Sequence, residues 1–346
     1  MSVLKEALQL VVDGKDLSAE RMQEVMMEIM EGRATSAQIG AILTALRMKG
    51  ENASEITGAA RVMRQKARAI SPRLPQGEPL VDIVGTGGDM SGTFNVSTTA
   101  SFVAAGAGLK VAKHGNRSVS SRSGSADLLE ALGVNLDVAP SVVERCVEET
   151  GLGFLFAPKL HPAMKNVIGP RREMGIRTIF NVLGPLTNPA GADVELMGVY
   201  DKGLCEKLAE VLGNLGAKKA WVVHGHGGMD ELSISGPSLV AQWNGSHVET
   251  FETAPSDFGL KEAQIQDVMG GGPKKNARIC LSILEGEKGP KRDMVVMNAA
   301  AAIYIAEGVK DLKEAAQLAQ ESIDSGRARQ VLSNLIKLTN AETGPS

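Results

Sequence analysis

From Pro79 onward the chain alternates short apolar runs with helical segments, and glycines follow the runs closely. Residues 80–84 lead into Gly85, residues 109–112 come shortly before Gly115, and 153–157, 196–200 and 220–223 continue the series. Between them, 97–106 is a small-residue helical stretch and 126–132 another. Runs without polar alternation read as strands covered on both faces, which is the habit of parallel sheets. Repeated strand–loop–helix units therefore predict an α/β domain with a mostly parallel central sheet. Residues 239–251 read as one or two extended strands around an Asn244-Gly245 turn, and 294–338 as helical.

The first seventy residues follow a different pattern. Leu4, Ala7, Leu8 and Val11 recur at helical spacing. Ser18 can cap a second helix bearing Met22, Val25, Met26 and Ile29. Thr35 with Gln38 has the form of a capping box, Gly50 is a natural stop, and Asn52 with Glu55 opens a further helix through Ile56, Ala59 and Met63. Residues 71–75, rich in proline, read as a linker. At 346 residues the chain is long enough for two domains. The expectation is a small N-terminal helical domain, residues 1–72 plus roughly 165–190, and a larger α/β domain over 73–346. Residues 169–190 break the strand–helix rhythm and are expected to leave the sheet, pack on the N-terminal helices and return.

A net charge of −3 without a basic stripe argues against sequence-independent nucleic-acid binding. Cys146, Cys205 and Cys280 are far apart and form no C-x-x-C pair, which suits reduced, buried thiols in a cytoplasmic protein. Nothing in the sequence resembles a secretion signal or a membrane span.

Ligands of open α/β sheets bind beyond the carboxyl ends of the strands. Gly85-Thr86-Gly87-Gly88-Asp89 follows the first strand, and its amides could form an anion-binding nest. Asn95, Val96, Ser97 and Thr98 lie where the next helix begins, and can cap it or meet phosphate oxygens. Each motif alone is equally compatible with a plain turn and an ordinary cap. Neither the dinucleotide fingerprint nor the Walker A loop is matched. Lys113, His114, Gly115, Asn116 and Arg117 are expected to follow the second strand and so to face the same edge. Ser118, Ser120, Ser121 and Ser125 supply donors there. Asp230 and Glu231, after the strand 220–223, suit Mg²⁺, which commonly joins one or two carboxylates to phosphates, although acidic residues at a helix start would look alike. Ser97 is a third oxygen donor for it. His224-x-His226 could open a zinc site, but His114, His161 and His247 lack supporting spacing. The Gly270-Gly271-Gly272-Pro273 turn reads as structural only.

Taken in order, GTGGD (from Gly85), NVST (from Asn95), KHGNR (from Lys113), HPAMK (from His161), RTIFNVLGPLTNP (Arg177 to Pro189) and Asp230-Glu231 make the chain similar to the anthranilate phosphoribosyltransferase family over nearly its whole length. The resemblance implies a stand-alone form without an amidotransferase segment, the fold of class II nucleoside phosphorylases, and a cytoplasmic homodimer joined through the small domain. It implies transfer of the phosphoribosyl group of phosphoribosyl pyrophosphate (PRPP) to the amine of anthranilate, in tryptophan biosynthesis. By resemblance, Gly85, Gly88, Asp89, Thr93 and Asn95, Val96, Ser97 and Thr98 hold PRPP, with Lys113, Gly115, Asn116, Arg117, Ser118, Val119, Ser120, Ser121 and Ser125 lining the same ligand. Ser97, Asp230 and Glu231 bind two Mg²⁺ ions. Asn116 and Arg171 meet anthranilate, Arg171 at its carboxylate, while His114, His161, Pro162 and Met164 shape its channel. No residue is expected to act as acid, base or nucleophile. Pro170 stands where the family commonly has an apolar residue such as Val, which leaves the loop before Arg171 open. The rivals are a pyrimidine nucleoside phosphorylase, which has no need of the Asp230-Glu231 metal bridge, and a non-enzymatic nucleic-acid-binding relative.

Overall fold

The computed structural model describes residues 3–118 and 122–341. The expected contacts Val119, Ser120 and Ser121 lie outside the described residues.

Four helices open the chain: α1 (Val3–Val12), α2 (Ala19–Met30), α3 (Ser36–Lys49) and α4 (Ala53–Lys66). Their local signals act as read. Ser18 Oγ accepts from the Arg21 amide at 3.2 Å, both capping boxes form, and Gly50 ends α3 at φ 87°. Each cap contributes about 1 kcal/mol. Glu55 does more than cap: fully buried, it also accepts from the Leu17 amide at 2.9 Å and pairs with Lys49 at 3.0 Å.

The sheet has seven strands: β1 (Leu80–Gly85), β2 (Lys110–Gly115), β3 (Leu152–Phe156), β4 (Val194–Gly198), β5 (Lys219–His224), β6 (Ser238–Trp243) and β7 (Val248–Thr253). Their order is β3-β2-β1-β4-β5-β6-β7. The first five are parallel, and β6 and β7 form an antiparallel hairpin at one edge. The chain steps outward from β1 to β2 and β3, then returns to lay β4 on the other side of β1. The switch point, where α/β sheets open a crevice, thus lies at the carboxyl ends of β1 and β4. Helices α5 (Val96–Gly106) and α6 (Ser125–Ala131) follow β1 and β2.

Two expectations need correction. The second strand continues to Gly115, so Lys113 and His114 are strand residues and not part of a loop beyond it. A helix that the sequence pattern does not announce, Pro273–Leu284, begins at the Gly270–Gly272 turn, before the helices Pro290–Glu307, Leu312–Asp324 and Arg327–Ala341.

The crossover packs on the N-terminal helices as expected. Asn166 Nδ2 donates to the Met30 carbonyl at 2.8 Å, and Val167, Phe180 and Leu183 share one apolar core with α1–α4. Pro170 sits inside the helix Lys165–Met174, so the segment before Arg171 is helical and not a loop. Pro170 is buried, and it cannot donate the helix bond that another residue would make there.

Candidate active site

Gly85 and Gly198 end β1 and β4 and face each other in register. Asp230 rests on this pair. A Cβ on Gly85 would stand 2.5 Å from Asp230 Oδ2, and one on Gly198 would stand 1.6 Å from the Asp230 carbonyl oxygen. Asp230 Oδ2 accepts from the Gly87 amide at 2.6 Å, while Glu231 Oε1 accepts from the Ser97 amide, at the start of α5, at 3.0 Å. The adjacent carboxylates thereby join the glycine loop to the following helix. Asp89 completes the acidic group: its Oδ1 accepts from the Ser91 amide at 3.3 Å, and its Oδ2 is buried without a hydrogen-bond partner.

This pocket is short of positive charge. Burial, then Asp89 and Glu231, hold the Asp230 carboxyl well above the usual range. Burial pushes Glu231 up to about 7 against the pull of Lys113. Lys113 itself is buried, which lowers its pKa, and its ammonium donates to the Ile83 carbonyl and to Ser97 Oγ (3.3 Å). It supports the acidic group from within the sheet layer, and not from an open loop as its residue type suggests. Among the described residues no three His, Cys, Asp or Glu side chains make a self-sufficient metal cage. Ser97, Asp230 and Glu231, with the orphaned oxygen of Asp89 nearby, fit a hard cation that draws its remaining oxygens from phosphate and water.

His114 leaves the opposite face of the sheet. Its Nδ1 lies 3.0 Å from the Gly184 carbonyl and its Nε2 3.2 Å from His161 Nε2. Burial pushes His114 down to about 3 and His161 down to about 4, so both rings are neutral near pH 7 and form an uncharged wall under the crossover. Arg171 lies with its guanidinium carbon 5.1 Å from the centre of the Phe180 ring, and burial lowers its pKa.

Other expected contacts stand apart or have different partners. Arg117 pairs with Glu130 at 2.6 Å and with Asp127 at 3.3 Å. Asp127 also accepts from the amides of Ser118 (3.0 Å) and Gly124 (2.8 Å), and Ser125 Oγ donates to the Asn116 carbonyl at 3.2 Å. Thr93 Oγ1 lies 3.1 Å from Ser91 Oγ. Val96 and Thr98 are buried in the first turn of α5. Asn95 makes no cap bond with its side chain. His224 Nδ1 meets the Val199 carbonyl at 2.9 Å, and His226 Nδ1 lies 3.2 Å from Ser235 Oγ.

Three further residues belong to the site without being expected there. Gly198 carries no sequence signal, since its contact, Asp230, lies far along the chain. Arg177 donates to the Gly88 carbonyl at 2.5 Å and stacks 4.0 Å over the Tyr200 ring, tying the crossover to the glycine loop. Asn188 donates to Asp82 (2.8 Å) and to the Ala112 carbonyl (2.7 Å), closing the crossover onto the sheet. Both belong to the long motif that starts at Arg177, which marks the segment but not the bonds.

A glycine-lined switch point, acidic residues above it and a helical bundle beside it define a two-domain α/β protein with a site suited to a cation and an anionic ligand. The model of the glycosyl transferase family, a/b domain, matches residues 77–329, and that of the helical bundle domain matches residues 5–67. The anthranilate phosphoribosyltransferase of Symbiobacterium thermophilum is 54% identical over 337 residues, covering 97% of this chain and 98% of that protein. That of Aquifex aeolicus is 50% identical over 340 residues, covering 98% and 99%. The crystal structure of the Thermus thermophilus enzyme superimposes with a TM-score of 0.91 at 44% identity, covering 98% of this chain and 99% of that one. The Saccharomyces cerevisiae enzyme in complex with PRPP and Mg gives 0.89 at 32% identity, covering 98% of both chains. The chain belongs to the anthranilate phosphoribosyltransferase family.

Proposed function

We propose that the crevice over Gly85 and Gly198 binds Mg²⁺-loaded PRPP and that the crossover beside it binds anthranilate. The enzyme transfers the 5-phosphoribosyl group to the anthranilate amine, giving N-(5-phosphoribosyl)anthranilate and pyrophosphate. The observation that carries the site assignment is the seating of Asp230 and Glu231 on the amides of Gly87 and Ser97. Ser97, Asp230 and Glu231 would hold the metal, as two ions. Mg²⁺ there supplies positive charge against the departing pyrophosphate.

The rest falls to the chain. Gly85, Gly88, Asp89, Thr93 and the start of α5 surround the ribose and pyrophosphate, with backbone amides as preorganised donors. Arg171 meets the anthranilate carboxylate. The amine is neutral near pH 7, so no base is needed to prepare it, and the lowered pKa values of His114 and His161 make both rings weak proton acceptors. Rate enhancement comes from placing the amine and C1 together and from excluding water that would hydrolyse the sugar. Arg171→Ala is expected to raise the anthranilate KM by about tenfold or more, the scale of one lost charge-assisted contact, with the PRPP KM within about twofold. Equal increases for both substrates in steady-state kinetics would remove Arg171 from the carboxylate.

The enzyme is further proposed to divide into residues 1–72 plus roughly 165–190 and residues 73–346, and to be a cytoplasmic homodimer. No helix among the described residues is long and apolar enough to cross a membrane. Val12, Met48, Ile168 and Ile176 are exposed apolar side chains on α1, α3, the helix Lys165–Met174 and the segment after it. A contact through this bundle would cover them. Sedimentation velocity is expected to give the mass of two chains for wild type and of one for Met48→Glu; a monomeric wild type would contradict the pairing.

A further inference from the structure

We infer that Asn276 is a positioning residue for PRPP, acting through Asn95. The inference rests on the reading of the Asn95 segment as a PRPP contact. The turn Gly270-Gly271-Gly272, expected to be only structural, lies against the loop that leaves β1. Gly270 donates its amide to the Gly92 carbonyl at 3.0 Å, and Met269 bridges Thr93 in antiparallel fashion. A Cβ on Gly270 would stand 2.6 Å from Phe94 backbone atoms, so only glycine permits this approach.

Asn276, buried in the first turns of the helix Pro273–Leu284, uses both ends of its amide here. Its Oδ1 accepts from the Gly271 amide at 2.8 Å, and its Nδ2 donates to Asn95 Oδ1 at 2.9 Å. Asn95 Nδ2 in turn donates to the Ser123 carbonyl at 3.0 Å. One chain of amides thus links three segments: 270–272, the start of α5, and residues 123–125 before α6. The orientation is determined throughout. Turning the Asn95 amide over would set its NH₂ against that of Asn276 and its oxygen against the Ser123 carbonyl. Two of the linked segments carry proposed PRPP contacts, Asn95 to Thr98 and Ser125. The third, about 180 positions away, carries none and orients the other two.

The test compares Asn276→Asp, Asn276→Ala and Asn95→Ala by steady-state kinetics and by calorimetric titration with PRPP and Mg²⁺. Asn276→Asp keeps the acceptor for Gly271 and loses the donor to Asn95. Both Asn276 variants are expected to raise the PRPP KM and Kd together by about tenfold, as for one lost buried hydrogen bond, with the anthranilate KM within about twofold of wild type. If Asn95→Ala weakens PRPP while Asn276→Asp binds it as wild type does, the positioning role is overturned and the Asn95 reading stands. Wild-type PRPP binding in both Asn95→Ala and Asn276→Asp overturns both. Equal weakening of both substrates in Asn276→Asp, with a lower melting temperature, reduces Asn276 to a structural residue and overturns the inference.

Discussion

Asp230→Asn combined with Glu231→Gln is expected to abolish Mg²⁺-dependent turnover while the protein stays folded. The two carboxylates lie half-buried side by side with Asp89 near them, and desolvation disfavours their charged forms. Near pH 7 the folded protein therefore bears a cost for charge in this pocket, which a cation offsets when it binds. The amides have almost the same shape, and their carbonyl oxygens still accept from Gly87 and Ser97, so the loop over Gly85 and Gly198 stays in place. The mutual repulsion of the carboxylates disappears, and with it the attraction for the metal, while Lys113 loses two counter-charges and keeps Asp82. Metal stabilisation of a leaving group contributes several kcal/mol, and each 1.4 kcal/mol is tenfold in rate, so a loss of about 10³-fold or more is expected. Initial rates across a Mg²⁺ series, with calorimetric melting of the metal-free protein, read both effects. A double variant within about tenfold of wild type would take the metal away from these residues.

Gly198→Ala is expected to damage stability and activity together. The added methyl would meet the Asp230 carbonyl at 1.6 Å, a backbone atom that cannot swing aside as a side-chain tip would. Either β4 must shift from β1 or the loop bearing Asp230 must lift. Overpacking of this kind costs about 1–3 kcal/mol, occasionally more. A displacement of about 1 Å in a positioned group costs about 10²-fold in turnover. Gly169→Ala is the control: nothing lies within 4 Å of its Cβ, and alanine suits a helix better by up to about 1 kcal/mol. Unfolding in urea and steady-state rates should separate the two variants clearly. A Gly198→Ala protein with wild-type turnover would show that the Asp230 loop need not rest on the glycine pair.

Features determined by neighbours in sequence were legible, and features determined by neighbours in space were not. Ser18, Thr35 and Asn52 declare helix starts because the bonds they make lie three residues ahead. Residues 80–84 and 220–223 declare strands because burial on both faces leaves them apolar, apart from Asp82, whose carboxylate finds its partners inside the fold. The end of β2 is hidden because Lys113 and His114 look like loop residues; they are strand residues because each finds a partner inside the fold, Lys113 at Ser97 and His114 at Gly184 and His161. The acidic pair was legible by its residue types and its place after a strand. Its seat on Gly198 was not, nor was the bond from Arg177 to Gly88 or the amide chain through Asn276, since each joins segments that only the tertiary fold brings together.

The most direct measurement mixes the purified enzyme with anthranilate, PRPP and Mg²⁺ and follows anthranilate fluorescence alongside released pyrophosphate. Fluorescence should fall, with one pyrophosphate appearing for each anthranilate consumed, and a metal chelator should stop both. Unchanged fluorescence at saturating substrates, or equal loss with the chelator present, would contradict a metal-loaded diphosphate held at the ends of β1 and β4.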